Sequence, residues 1–467
     1  MNDELKHCRN VNENPCNMCM PMGGILALKG IESSMVILHG SQGCSTYMRR
    51  HIAEHFNEPV DVASSSLNEK GTIYGGESNL KQAIDNVRKV YEPKLIGILN
   101  TCLAETIGED VERIADSYSA QQDAASPLLV SAATPGYGGS HAEGYFFTLR
   151  RIVEQLAEPV ERHSKVNIIL PNLSPADIRE IKRILQLLQV DYILYPDISD
   201  TLDRPFLPRY TKLAQGGTPL ADIKAMSGSV ATIQMGMTVE DKYSPGQYLA
   251  DAFGVPLYNI PLPIGLKNTD LFLECLQQQA AAQRVPLELQ QERGRLLDGM
   301  IDSHKYNFQK RSVIFGEPEI VYAVAKTCLE NGLFPVVIAT GSKTTRLDAL
   351  LRSELAASPD ECTILNETDF AAIRQTAKEA EAVIAIGHSD GRYLEERQGI
   401  PLIRLGFPIH DRVGGQRLLS VGYRGTAVFL DRITNTLLEK RQKNYRRSLY
   451  ETFYQEATEE RRGDQCD

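Results

Sequence analysis

The sequence predicts an α/β chain of three doubly wound parallel-sheet domains. Two observations carry this prediction. Short apolar runs rich in β-branched residues recur along all 467 positions. Segments of helical periodicity separate them. Such runs, bounded by turn residues, are what strands buried on both faces of a parallel sheet look like in sequence. Alternating strand and helix then leaves a parallel sheet with helices on both sides as the economical architecture.

The first set of runs is Met35–Leu38, Lys94–Leu99 and Leu128–Ser131. The second is Val166–Leu170, Asp191–Tyr195, Val230–Gln234 and Leu257–Ile260. The third is Ser312–Phe315, Pro335–Ala339, Thr363–Leu365, Ala382–Ile386 and Pro401–Arg404. Between them, Pro175–Leu185 places apolar residues at 178, 181, 184 and 185, with Ser174 as N-cap and Pro175 in the first helical position. A long helical connector is expected from about 269 to 307, and a charged helix over 432–462. These elements divide the chain into a first domain over residues 1–160, a central domain over 161–268, and a third part over 269–467 holding connector, sheet and final helix.

With 60 acidic against 50 basic residues, the formal net charge is −10. That balance argues against general nucleic-acid binding. The polar opening Met1–Lys6 has no apolar signal region, and no apolar run is long enough for a membrane span, so a cytoplasmic chain without membrane attachment is expected. The nine cysteines are odd in number and irregularly spaced, unlike a disulfide framework. They are expected to be thiols or metal ligands.

Cys19, Cys44 and Cys102 stand out among them. Each lies beside glycine or proline, or directly after a strand-like run, where the chain turns into a helix: Pro15–Gly24, Ile37–Cys44 and Lys94–Cys102. Ligands of doubly wound sheets gather outside the carboxyl ends of the strands. Thiolates are the usual ligands of iron–sulfur clusters. Three of them fall short of a four-cysteine set, which leaves either a vacant iron position or ligands from a second chain. For each cysteine alone, a buried small side chain is the ordinary alternative. Cys16 forms one Cys-x-x-Cys step with Cys19, a weak zinc or redox signal. Cys8, Cys275, Cys328, Cys362 and Cys466 read as packing or surface residues, with Cys275 and Cys328 in helices and Cys362 opening a strand.

The remaining motifs carry less. His39–Ser45 is a glycine-bearing turn leading into a helix, suited to anionic groups. Thr134–His141 is glycine-rich but lacks a dinucleotide fingerprint, and Ala339–Lys343 reads as an ordinary turn. His51 and His55 share a helix face and read as surface or partner contacts. Single histidines at 304, 388 and 410 carry no reading of their own.

Taken in order, Pro21–Gly23, His39–Cys44, Tyr74–Leu80, Thr101–Asp110, Thr134–Pro135, Pro263–Leu266, Glu292–Leu296, Asp302–His304 and Gly406–Ile409 resemble the β-type chains of nitrogenase component 1. The resemblance implies three Rossmann-like domains and an α2β2 heterotetramer with a homologous α-type partner. It implies that Cys19, Cys44 and Cys102 hold half of an interfacial iron–sulfur cluster, with the partner holding the other half. An ATP-dependent iron protein would deliver electrons, and the metallocofactor would sit in the partner. The position of an extra serine ligand in that family corresponds to Gly136 here. Asp411–Arg417 and Gly422–Thr426 are closer to the β-type chain of the scaffold that matures the iron-molybdenum cofactor. Such scaffold chains commonly keep only the cysteine matching Cys44 and share a [4Fe-4S] cluster. The complete trio points to an [8Fe-7S]-like cluster and a nitrogenase-like reductase, of which methylthio-alkane reductase is one type.

Overall fold

The computed structural model describes residues 15–121, 126–209, 211–279, 284–356 and 358–451. Cys8, Cys466 and the end of the expected C-terminal helix lie outside them. Three fully parallel sheets form, as the alternation requires. The first contains β1 (Ser34–His39), β2 (Val62–Ser64), β3 (Leu95–Asn100) and β4 (Leu128–Ala132), ordered β2-β1-β3-β4. The second contains β5 (Val166–Ile169), β6 (Tyr192–Tyr195), β7 (Ala231–Gln234) and β8 (Leu257–Asn259), ordered β6-β5-β7-β8. The third contains β9 (Lys310–Phe315), β10 (Leu333–Ala339), β11 (Thr363–Leu365), β12 (Ile384–Gly387) and β13 (Leu402–Arg404), ordered β11-β10-β9-β12-β13.

β1 and β3 are buried along their whole length, which is why they read as continuous apolar runs. β2 is absent from the sequence reading. It is a three-residue edge strand with only Val62 buried, too short to show a period. The expected connector is two helices, Leu266–Gln279 and Leu287–Asn307, the second starting directly after Pro286. Ser174 caps its helix as expected, its hydroxyl accepting from the Asp177 amide at 3.0 Å. Cys362 lies one residue before β11. No helix among the described residues is long and apolar enough to cross a membrane.

Each sheet reverses direction of winding once. In the first the reversal falls between β1 and β3, adjacent strands whose chain continuations run to opposite sides of the sheet. The turns after these two strands carry Cys44 and Cys102. The helix Met20–Lys29, headed by Cys19, packs tightly against the helix His141–Leu156. Gly23 makes the approach possible: a Cβ there would sit 1.8 Å from the His141 carbonyl oxygen. Buried carboxylates clasp the units together. Glu317 binds His141 of the first at 3.0 Å and Asn172 of the second at 2.9 Å. Asp177 accepts from the Ser420 and Val421 amides, fixing the start of the last helix, Gly422–Tyr450.

The Gly23 contact is testable. A methyl group there must push two helices apart, so Gly23→Ala is expected to cost about 3 kcal/mol, the upper range of core overpacking. Chemical denaturation of parent and variant measures it; an unchanged midpoint would show that the helices are free to separate.

Candidate metal centre

Three helices begin at one edge of the first sheet, and each carries a cysteine at its cap or in its first turn. Cys19 is the N-cap of Met20–Lys29. Cys44 is the third residue of Gln42–Phe56, and Cys102 opens the short helix Cys102–Thr106. The first amides of a helix have no internal acceptor and favour negative charge, which suits thiolates. The structure brings the three sulfurs together. A Cβ built on Gly136 would lie 3.1 Å from Cys102 Sγ and 3.6 Å from Cys19 Sγ, so this bare Cα faces both thiols. The Gly136 amide donates to Cys102 Sγ at 3.1 Å. Burial pushes the Cys19 thiol up, and its neighbours Cys102 and Cys44 push it the same way. Three thiolates at this spacing repel one another and call for a cation to hold them.

The turns that carry the thiols are locked. Gly40 rests directly on Thr101, and a Cβ on Gly40 would come within 1.9 Å of the Thr101 hydroxyl. The Thr101 amide and hydroxyl both donate to the His39 carbonyl at 3.1 Å. Below them, Ser65 Oγ bonds His39 Nδ1 at 2.9 Å and accepts from the Gly40 amide at 3.0 Å. Glu109 reaches His39 Nε2 at 3.5 Å and accepts from the Gly76 amide at 2.6 Å. The Cys44 and Cys102 turns therefore move as one body. Cys19 is fixed by an isolated antiparallel bridge to Ser140, and the neighbouring Met18 amide donates to His141 Nδ1 at 3.1 Å. With Nδ1 accepting, the proton is assigned to Nε2, which donates to Glu317.

The Cys-x-x-Cys step does not act as a pair. Cys16 turns away into the third unit, buried, its sulfur 3.7 Å from His388 Nε2. Its thiol is pushed far up by burial first and by Asp390 second. His388 and His410 both face Asp390, at 3.4 and 3.0 Å; His388 and Asp390 share one turn, and sequence gives no signal that His410 joins them from another. The turn read as ordinary, Ala339–Lys343, holds Asn17 beside Cys16: the Gly341 carbonyl accepts from Asn17 at 2.7 Å. His304 packs its ring against Phe308.

The expectation for the histidine pair needs correction at His55. It is buried, stacked edge-on against Phe56 and Phe407, and its Nδ1 accepts from the Ile409 amide at 2.8 Å. Burial keeps it neutral, with its pKa pushed down to about 3. One amide donor and aromatic packing suffice for a neutral imidazole. His51 is only part-buried and lines the groove beside Cys19.

All seven described cysteines are free thiols. Among the described residues no three Cys, His, Asp or Glu side chains are grouped to hold a single metal ion. The donor set nonetheless fits a multi-iron cluster: it is purely thiol, Cys19 and Cys102 are exposed, and Gly136 leaves space between them. Tyr47 and Tyr137, which line the same groove, are 61% and 66% exposed.

Fold and site together define a three-sheet α/β chain with an open edge of converging thiols. The profile of the nitrogenase component 1 type oxidoreductases matches residues 19–438. The chain is 34% identical over 447 residues to the nitrogenase molybdenum-iron protein beta chain of Methanothermobacter thermautotrophicus, covering 93% of this chain and 96% of that one. It is 33% identical over 439 residues to the nitrogenase vanadium-iron protein beta chain of Trichormus variabilis, covering 91% and 93%. The solved structure of nitrogenase Cp1 at pH 6.5 superposes with a TM-score of 0.89 at 32% identity, covering 93% of this chain and 95% of that one. The chain belongs to the nitrogenase component 1 family, as a β-type chain.

The mutual influence of the thiols can be read chemically. In the metal-free chain, Cys102→Ser is expected to speed alkylation of Cys19 near neutral pH, because removing a repelling thiol lowers the Cys19 pKa and raises its thiolate fraction. Mass-mapped iodoacetamide labelling measures the rate, with Cys16 and Cys328 expected to stay protected until unfolding. An unchanged Cys19 rate would separate the two sulfurs.

Proposed function

We propose that the chain is the β-type subunit of a nitrogenase-like reductase. Cys19, Cys44 and Cys102 hold one half of an [8Fe-7S]-like iron–sulfur cluster, and a homologous α-type subunit holds the other in an α2β2 heterotetramer. The observation that carries this reading is the convergence of three unpaired thiols on an open edge lined by exposed aromatics. A half-site of this kind is incomplete until a second chain covers it. Exposed tyrosines beside it suit burial in such an interface.

When bound, the cluster supplies an electron relay between an ATP-dependent iron protein and a metallocofactor on the partner. The residues of this chain set its terms. Helix N-termini and the Gly136 amide stabilise thiolate charge. The Gly40–Thr101 contact holds two ligand turns at fixed separation, which limits rearrangement when charge changes. Gly136 offers no side-chain oxygen, so oxidation-linked ligation by a hydroxyl at this position is not available to this chain.

The scaffold reading, a β-type subunit that helps mature the iron-molybdenum cofactor over a [4Fe-4S] cluster, draws on the runs Asp411–Arg417 and Gly422–Thr426. One experiment separates them. The complex purified anaerobically with its partner is assayed for iron and acid-labile sulfide per αβ pair, and for substrate reduction with its iron protein. An eight-iron bridge with turnover is expected. A four-iron bridge with maturation of apo-nitrogenase would overturn the reductase reading. Cys44→Ala is expected to remove the bridging-cluster signal while the circular dichroism of the fold is retained.

A further inference from the structure

Away from the thiols, a small pocket opens between the first sheet unit and the loop that follows β6. Lys29, Ser33 and Asp61 line it from one side, and Thr201, Arg204 and Lys212 from the other. Most of its charged groups are already engaged. Arg204 pairs with Glu58 at 3.0 Å, and Lys212 donates to the Val90 carbonyl at 2.7 Å. Arg49, the further cation acting on Lys29, donates to the Val60 carbonyl at 3.1 Å.

Lys29 differs. Among the described residues its ammonium makes no hydrogen bond and no ion pair, and Asp61 acts on it only across a gap. Across the pocket, the Thr201 hydroxyl is buried and likewise without a partner. A part-buried ammonium without a protein partner and a buried hydroxyl without one line the same pocket, and both can donate to an acceptor placed there. Counting Lys29, Arg49, Arg204 and Lys212 against Glu58 and Asp61 leaves two positive charges in excess.

We propose that this pocket binds a phosphate group, with the Lys29 ammonium and the Thr201 hydroxyl as its direct donors. A dianion matches the excess charge, and its tetrahedral oxygens can accept from donors on opposite walls at once. The site is separate from the thiol trio and stands independently of the function proposed above. Burial pushes Lys29 down to about 8, with Asp61 opposing that shift and Arg49 adding to it. The site needs both the charged lysine and the phosphate dianion, so affinity is expected to fall as pH rises through the lysine's value and to fall again at acid pH, where phosphate becomes a monoanion.

The test is titration of the full complex with inorganic phosphate, followed by calorimetry and by ³¹P line broadening. Saturable binding at one site per chain is expected. Lys29→Met should weaken it at least tenfold and Thr201→Val severalfold. In phosphate-free buffer Lys29→Met should leave thermal stability unchanged or raised, since it breaks no ion pair and removes a costly charge. Equal phosphate affinity in parent and both variants, or an affinity that does not fall above the lysine's pKa, would overturn the proposal. Competition by succinate as strong as phosphate's would overturn the choice of phosphate.

Discussion

Everything about the thiol edge depends on close approach at three glycines that have no side chain to interpose. Gly40 on Thr101 sets the distance between the turns after β1 and β3. Gly23 on His141 sets the helix that Cys19 heads. Gly136 leaves open the space those two placements create. The first two contacts are shorter than any Cβ tolerates and the third is tight, so the position of three sulfurs is written into three missing side chains. The hydrogen bonds of Ser65 with His39 and Gly40, and of Glu109 with the Gly76 amide, then hold the turns in register. The cluster proposed to be shared between chains would need this rigidity, because neither chain alone would enclose it.

The winding of the first sheet explains why the centre lies where it does. Its chain runs outward from β1 to β2 and then to the other side through β3 and β4. The crevice at that reversal is where doubly wound sheets offer their loops to ligands. Cys44 and Cys102 occupy the two turns that border it. Cys19 comes from outside the sheet and reaches the crevice through the bridge to Ser140.

Much of this was legible in the chain. Strands buried on both faces announce themselves as apolar runs, and the reading misses only β2, whose three residues, one of them buried, are too few to carry a pattern. Cys44 and Cys102 stand out because turn chemistry marks the strand ends, and Cys19 because proline and glycine surround it where a helix begins. What the sequence hides is contact between distant turns. Nothing near Cys16 announces His388, and nothing near His55 announces the Ile409 amide that buries it. Nothing in the sequence singles out Lys29, which ends a helix; only the packed loop after β6 shows that its charge lacks a protein partner.

The central claim is that three cysteines of this chain are one half of a shared cluster. Anaerobic crystals of the complex, measured across the iron absorption edge, test it directly. Iron density within bonding distance of Cys19, Cys44 and Cys102 at the boundary with the partner is the predicted result. Free thiols at all three positions, with iron bound elsewhere or absent, would contradict it.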